Sequence, residues 1–268
     1  MQAISEIAAA AEAADGAAPL DEATWLALRH HPETVTTWVR TDGFALLIGE
    51  DLSLVVRPEA RGQGLGRSLL EEALPATGPL RAWSHGDQPA AAALARRFGF
   101  DRARELWVMR RPTAEPLPAY QAPAGLTVRG YQPGDADEVL RVNAAAFASH
   151  PEQGAMDAAN LAERMAEPWF DPAGLLVATD GDRLLGFHWT KQHSETLGEV
   201  YVVGIDPAAQ GRGLGKLLTL AGLHHLAGLG VNEVLLYVES DNAPAVAVYS
   251  GLGFRHAAAD THVMYRRP

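Results

Sequence analysis

Three glycines at alternate positions, Gly211, Gly213 and Gly215 in "QGRGLGKLL" (residues 210–218), are where this chain first points to chemistry. They lie between an apolar stretch that reads as a strand, "LGEVYVVGIDP", and one with helical periodicity. A glycine turn entering a helix offers backbone N–H groups and the positive end of the helix dipole to an anion. Without side chains the backbone can approach a phosphate closely, and Arg212 and Lys216 add positive charge. The inference is a ligand that carries a diphosphate. ATP and dinucleotides are disfavoured by spacing. A Walker turn needs Ser or Thr after its lysine, but Lys216 precedes Leu217; a dinucleotide fingerprint needs two residues between its second and third glycines, and here there is one.

The turn occurs twice. "RGQGLGRSLL" (residues 61–70) sets Gly62, Gly64 and Gly66 in the same surroundings, with Arg61 and Arg67 as the charges. One copy alone would be explained by a tight turn that simply needs glycine. Two copies in matched settings mark a repeat, because Pro58 aligns with Pro207, Gly99-Phe100 nearly aligns with Gly253-Phe254, and both halves end in strand-like runs, "ELWVMRR" and "HVMYRR". Residues 111–125, "RPTAEPLPAYQAPAG", are rich in Pro and Ala and have no apolar period. The expected division is therefore 1–112, a linker at 113–125, and 126–268.

Local patterns supply the elements that must hold the turn. Two apolar runs around Asp180-Gly181-Asp182 read as a hairpin. Leu214, Leu217, Leu218 and Ala221 follow i, i+3, i+4, i+7 spacing, a helix face turned toward a sheet. "EVLLYVE" is too apolar to have a wet face and reads as a buried strand. Asn242 can cap the next helix, Pro244 suits its first turn, and Gly251 and Gly253 end it.

At 268 residues the chain can bury a large core, and 47% hydrophobic with 21% charged residues is ordinary for a globular protein. A net charge of -11 argues against a nucleic-acid partner, since phosphate contacts need a basic surface. There is no cysteine, hence no disulfide, thiolate site or cysteine nucleophile. No run approaches the about 18 apolar residues of a membrane helix, so the expectation is a cytoplasmic monomer acting on a small molecule. The ten histidines include no His-Glu-x-x-His run, and no metal is expected.

Gln210 to Gly215 after a strand ending in Asp206-Pro207, followed by Asn242 and then Tyr249 ahead of Gly253-Phe254, resembles the Gcn5-related N-acetyltransferase family. The resemblance implies an α/β (mixed α+β) fold of two tandem acetyltransferase-like domains, each a twisted mixed sheet flanked by helices. It implies acetyl-CoA as acetyl donor, its pyrophosphate on the amides of Gln210, Gly211, Arg212, Gly213, Leu214, Gly215 and Lys216. Its pantetheine arm would lie along the free edge of a splayed strand at Val203, Gly204 and Ile205, with Asn242 beside it. The corresponding residues of the first copy are Leu54, Val55, Val56, Gly62, Gln63, Gly64, Leu65, Gly66 and Arg67.

Longer stretches, among them "RVNAAAFASHPEQG", "LLGFHWTK" and "LLYVESDNAPAVAVYSGLGF", resemble a tandem branch of that family that acetylates the cysteinyl amine of cysteinyl-glucosaminyl-inositol. In the first half, "DGAAP", "LVVRPEARGQGLG" and "MRRP" carry the likeness. An α-amino group titrates near roughly 8, so a weak base is enough. The resemblance assigns Glu199 as that base and Tyr249 as the proton donor to the leaving thiolate, with substrate contacts at Glu22, Glu152, Lys191, Glu199 and Tyr237. In the first copy Glu50 aligns with Glu199, but Ala95 stands where Tyr249 would, so that half is expected to bind acetyl-CoA without turning it over. Rival readings are an acetyltransferase for another small amine or a peptide N-terminus, and an acyl-CoA sensor without catalysis.

Overall fold

The computed structural model describes residues 1–74, 78–148, 154 and 156–268. In chain order the helices and strands are α1 (Gln2–Asp15), α2 (Glu22–His30), β1 (Val35–Arg40), β2 (Gly43–Ile48), β3 (Asp51–Val56), α3 (Leu65–Ala73), β4 (Leu80–Ser84), α4 (Pro89–Arg97) and β5 (Asp101–Pro112). They continue with β6 (Leu126–Gly130), α5 (Ala136–Ala146), α6 (Ala158–Met165), β7 (Leu175–Asp180), β8 (Arg183–Gln192), β9 (Leu197–Ile205), α7 (Leu214–Gly228), β10 (Glu233–Glu239), α8 (Ala243–Gly251) and β11 (Arg255–Arg267). Two compact units result. The first holds Met1–Trp107, Glu239–Asp241 and Ala257–Pro268; the second holds Val108–Val238 and Asn242–His256.

In the first unit the strands run in the order β1-β2-β3-β4-β11, antiparallel except for the parallel pair β3 and β4. Alternation along β2 assigns its two faces. Phe44 and Leu46 pack with Ile4, Ile7 and Ala11 of α1, whereas Ala45 packs with Leu69 and Leu70 of α3 and Ala95 of α4. The sequence division gives the last strand to the second half. In the structure Val263–Arg267 pair with Ser84–Leu80 of β4, so the compact unit differs from that division. The physical reason is that β4, with β3 on one edge, has its other edge open for β11 to fill.

The second unit repeats the plan in the order β10-β9-β8-β7-β6, antiparallel except for the parallel pair β9 and β10. The expected hairpin is β7-β8, with Gly181 at φ 58° in its turn. One face carries Val177, Phe187, Trp189 and Val202 against Val139 and Val142 of α5 and Leu161 of α6. The other carries α7, and the approach is close: a Cβ on Gly222 would sit 2.1 Å from Cε1 of His188. His188 is fully buried, and its Nδ1–H donates to the Leu218 carbonyl at 2.8 Å. Burial pushes the imidazole down to about 4, so it packs as a neutral ring.

Residues 113–125 form no helix or strand and lie along the second unit. The Thr113 N–H donates to Asn232 O at 2.9 Å, and the buried Arg111 donates to the carbonyls of Leu252, Glu115 and Pro116. This segment is fastened by directional bonds where composition alone reads as a spacer.

Candidate active site

The site is built around an irregularity in β9. Gly186 to Trp189 pair with Ile205 to Val202, and Thr190 to Gln192 pair with Val200 to Gly198, so Tyr201 is one residue more than β8 can match. Such a bulge shifts the alternation of side chains. As a result Glu199, opposite Lys191, shares a face with Val202, opposite Trp189, because directly opposed residues in an antiparallel pair point the same way. Tyr201 joins them, with its ring 5.6 Å from that of Trp189 and 5.1 Å from that of Trp169.

Two cations gather on this aromatic floor. The Lys191 ammonium lies 4.5 Å from the Trp169 ring centroid and 5.3 Å from that of Tyr201, a cation–π arrangement that fixes its position. Arg164 of α6 donates to the Tyr201 hydroxyl and is itself held by Asn160 at 2.9 Å. Glu199 is 5% exposed, and its Oε2 lies 2.6 Å from Nε2 of His193, at the end of the β8-β9 hairpin. Sequence reasoning missed His193, Trp169 and Arg164, since nothing local in the chain announces that they meet.

Next to this cluster the sheet opens. β9 and β10 pair from Leu197 and Glu233 as far as Val200 and Leu236, and no further. Beyond that point one edge of Tyr201–Ile205 has no partner strand among the described residues, and Tyr237, the first residue of β10 past the pairing, is 44% exposed. An open edge presents unpaired N–H and C=O groups. Gly204 is required there for a separate reason: a Cβ would lie 2.6 Å from the Phe187 ring on the other strand.

The strand runs into the glycine turn through Asp206, which sequence reasoning noted only as part of an Asp-Pro ending. Its buried carboxylate accepts from Arg141 at 2.9 Å, Arg183 at 3.2 Å and the Ala208 N–H at 2.9 Å. Arg141 above all, then the Ala208 amide, holds that carboxyl below the ordinary range. The clamp fixes the direction from which the chain enters the turn. Gly211 and Gly213 then take φ of 78° and 73°, values that strain other residues, and α7 begins with no side-chain cap. Its first-turn amides have no intrahelical acceptor and are available to an anion. Arg212 reaches Asp180 only at 3.9 Å, and Lys216 has no carboxylate partner among the described residues.

Asn242 caps α8, its Oδ1 accepting from the Ala245 N–H at 3.2 Å, as its position predicts. Tyr249 stands on that helix with its ring 6.0 Å from that of Phe254. No described residue hydrogen-bonds its hydroxyl, and burial pushes the phenol up to about 12, which keeps it protonated at neutral pH. Glu22 opens α2 in the first unit. Glu152 lies outside the described residues.

The first unit has its own version of the turn. Gly62 and Gly64 have φ of 75° and 88°, and α3 likewise begins uncapped. A cavity of about 480 Å³ is lined by Leu54, Val55, Val56, Gly62, Gly66 and Trp83, among others. Its charges are spent: Arg61 makes a bidentate pair with Asp15 at 2.7 and 2.8 Å, and Arg67 pairs with Glu71 at 2.7 Å. Gln63 bonds back to Glu59 O at 3.1 Å, and Leu65 packs on the core. Ala95 lines the cavity, but Glu50 does not; it is exposed at the tip of the β2-β3 hairpin. The alignment with Glu199 fails because β3 starts only at Asp51, so the equivalent position falls in the turn.

Comparison with known proteins agrees with this geometry. Residues 143–254 match the model of the acetyltransferase (GNAT) family, and residues 21–102 match that of an acetyltransferase (GNAT) domain. A mycothiol acetyltransferase of a Nocardioides species is 70% identical across 100% of this chain and 97% of its own length. One from Nocardia farcinica is 51% identical across 96% and 91%. Among solved structures, a tandem GNAT protein from the clavulanic acid biosynthesis pathway superposes with a TM-score of 0.70 at 21% identity, over 98% of this chain and 94% of that one. A Gcn5-related N-acetyltransferase from Sphaerobacter thermophilus gives 0.68 at 22%, over 99% and 92%. With the repeated turn, the splayed sheet and full-length relatives in agreement, the chain belongs to the mycothiol acetyltransferase family, whose GNAT domain it carries twice.

Proposed function

We propose that this chain transfers acetyl from acetyl-CoA to the cysteinyl amine of cysteinyl-glucosaminyl-inositol, the last step of mycothiol biosynthesis, with the chemistry in the second unit. The observation that carries the reading is a shielded carboxylate, Glu199, on the strand whose open edge leads into the uncapped start of α7. The relatives' names, mycothiol acetyltransferase, support the pathway, and the long stretches of the second half that resemble that branch support the amine. Acetyl-CoA supplies an activated acetyl thioester. Val203 to Ile205 hold its pantetheine arm by backbone bonds, and the amides of Gly211 to Lys216, with Arg212 and Lys216, hold its pyrophosphate.

Glu199 accepts the proton that the amine loses on attack. Tyr249, protonated because burial disfavours its phenolate, donates to the departing thiolate. Lys191, Tyr237 and Glu152 bind the sugar hydroxyls of the substrate, and Glu22 adds a carboxylate. The first unit binds acetyl-CoA in its cavity and does not turn it over: Glu50 is at an exposed hairpin tip, and the methyl group of Ala95 has no ionisable proton to give. One chain is sufficient for the reaction.

The test is mass spectrometry of purified protein with acetyl-CoA and the cysteinyl amine. Wild type should form N-acetylated product, and Glu199→Gln should slow it by about 10²-fold or more. Acetyl-CoA binding without product would overturn the substrate assignment. Wild-type turnover by Glu199→Gln would overturn the role of the base.

A further inference from the structure

The contact between His193 and Glu199 has a consequence for the base. Nε2 of His193 lies 2.6 Å from Oε2 of Glu199, and the two side chains are 35% and 7% exposed. The imidazole therefore stands between a shielded carboxylate and solvent. Its backbone is fixed: the His193 N–H donates to Leu197 O at 2.9 Å, and the Ser194 hydroxyl accepts from the N–H groups of Thr196 and Leu197. The hairpin is closed by these bonds at both ends of the stretch that carries the histidine.

Lys191, held over Trp169 and Tyr201, and Arg164, on the Tyr201 hydroxyl, belong to the same aromatic floor.

We propose that His193 is a positioning residue for acetyl transfer: its Nε2–H holds Oε2 of Glu199 and turns Oε1 to the amine. This rests on the reading of Glu199 as base. As the C–N bond forms and the C–S bond breaks, the amine proton passes to Oε1 of Glu199, the thiolate takes the Tyr249 proton, and the Nε2–H stays on the imidazole.

The experiment is kcat and the KM for acetyl-CoA for wild type, His193→Gln and His193→Ala. Gln keeps an N–H to offer Glu199, and Ala does not. His193→Gln should retain kcat within about threefold, whereas His193→Ala should lose about tenfold or more in kcat, with the KM for acetyl-CoA unchanged. If Ala fails to fold, His193→Leu, which fills the space without an N–H, takes its place. A loss in His193→Gln as large as in His193→Ala overturns the proposal, and so does wild-type kcat in His193→Ala. Glu199→Gln separates the two readings: if it stays active the base assignment fails, whereas wild-type kcat in His193→Ala beside an inactive Glu199→Gln removes only the role of the histidine.

Discussion

Gly222→Ala tests how α7 is seated. The added Cβ would fall 2.1 Å from Cε1 and 2.2 Å from Nδ1 of His188, and 2.9 Å from Cγ2 of Thr190. Neither neighbour is free to yield, because His188 is fully buried and bonded to Leu218 O, and the Thr190 hydroxyl donates to Gly174 O at 2.8 Å. The helix must lift. Overpacking of this kind costs about 1–3 kcal/mol, and contacts this short belong at the upper end, about 3 kcal/mol. At about 2–4 °C per kcal/mol for a unit of this size, Tm should fall by about 6–12 °C in a thermal melt. Because the same helix begins at Gly213, the KM for acetyl-CoA should rise as well. His188→Ala combined with Gly222→Ala makes room for the methyl, so the double variant should be more stable than the sum of the single losses by about 1 kcal/mol or more. An unchanged Tm in Gly222→Ala, or strict additivity in the cycle, would refute the claim that helix and sheet meet without spare volume.

Gly213→Ala forces a side chain onto φ 73° and should cost about 1–2 kcal/mol, with weaker acetyl-CoA binding read by calorimetry and little change in kcat at saturation. Tyr249→Phe should lower kcat while leaving both KM values near wild type; since the phenol is pushed up to about 12, wild type should show no loss from its ionisation below about pH 11. His188 is held neutral down to about 4, below its unfolded value, so the unfolded chain binds a proton first as pH drops. Stability from that group should therefore be intact above about pH 6.5 and be lost between there and about pH 4, visible as a shallower urea-midpoint decline in His188→Gln than in wild type.

The sequence made legible what is local. The glycine turns, the Asp180-Gly181-Asp182 hairpin, the Asn242 cap and the apolar face of α7 each depend on residues within one or two turns of chain, and each stands where its pattern indicates. What was hidden depends on pairing between distant segments. The bulge at Tyr201 exists only because β8 is one residue short of β9, and no property of Tyr201 marks it. The closeness of His193 to Glu199 needs the hairpin to be closed first. Glu50 shows the reverse failure: an alignment in register gave it a partner in the other half, yet the tighter hairpin before β3 puts it in solvent. Repeats copy sequence positions more faithfully than they copy strand lengths.

The strand that pairs with β4 comes after every other described strand in the chain. A ribosome will have released β1 to β4 and α1 to α4 long before Val263 to Arg267 emerge, so during synthesis the edge of β4 waits while the whole second unit is translated. Truncation from the C-terminus should accordingly damage the first unit and spare the turn in the second, the opposite of what linear order suggests. A cut at the Pro-rich segment would yield a first half with an open strand edge, prone to pair with a second copy of itself.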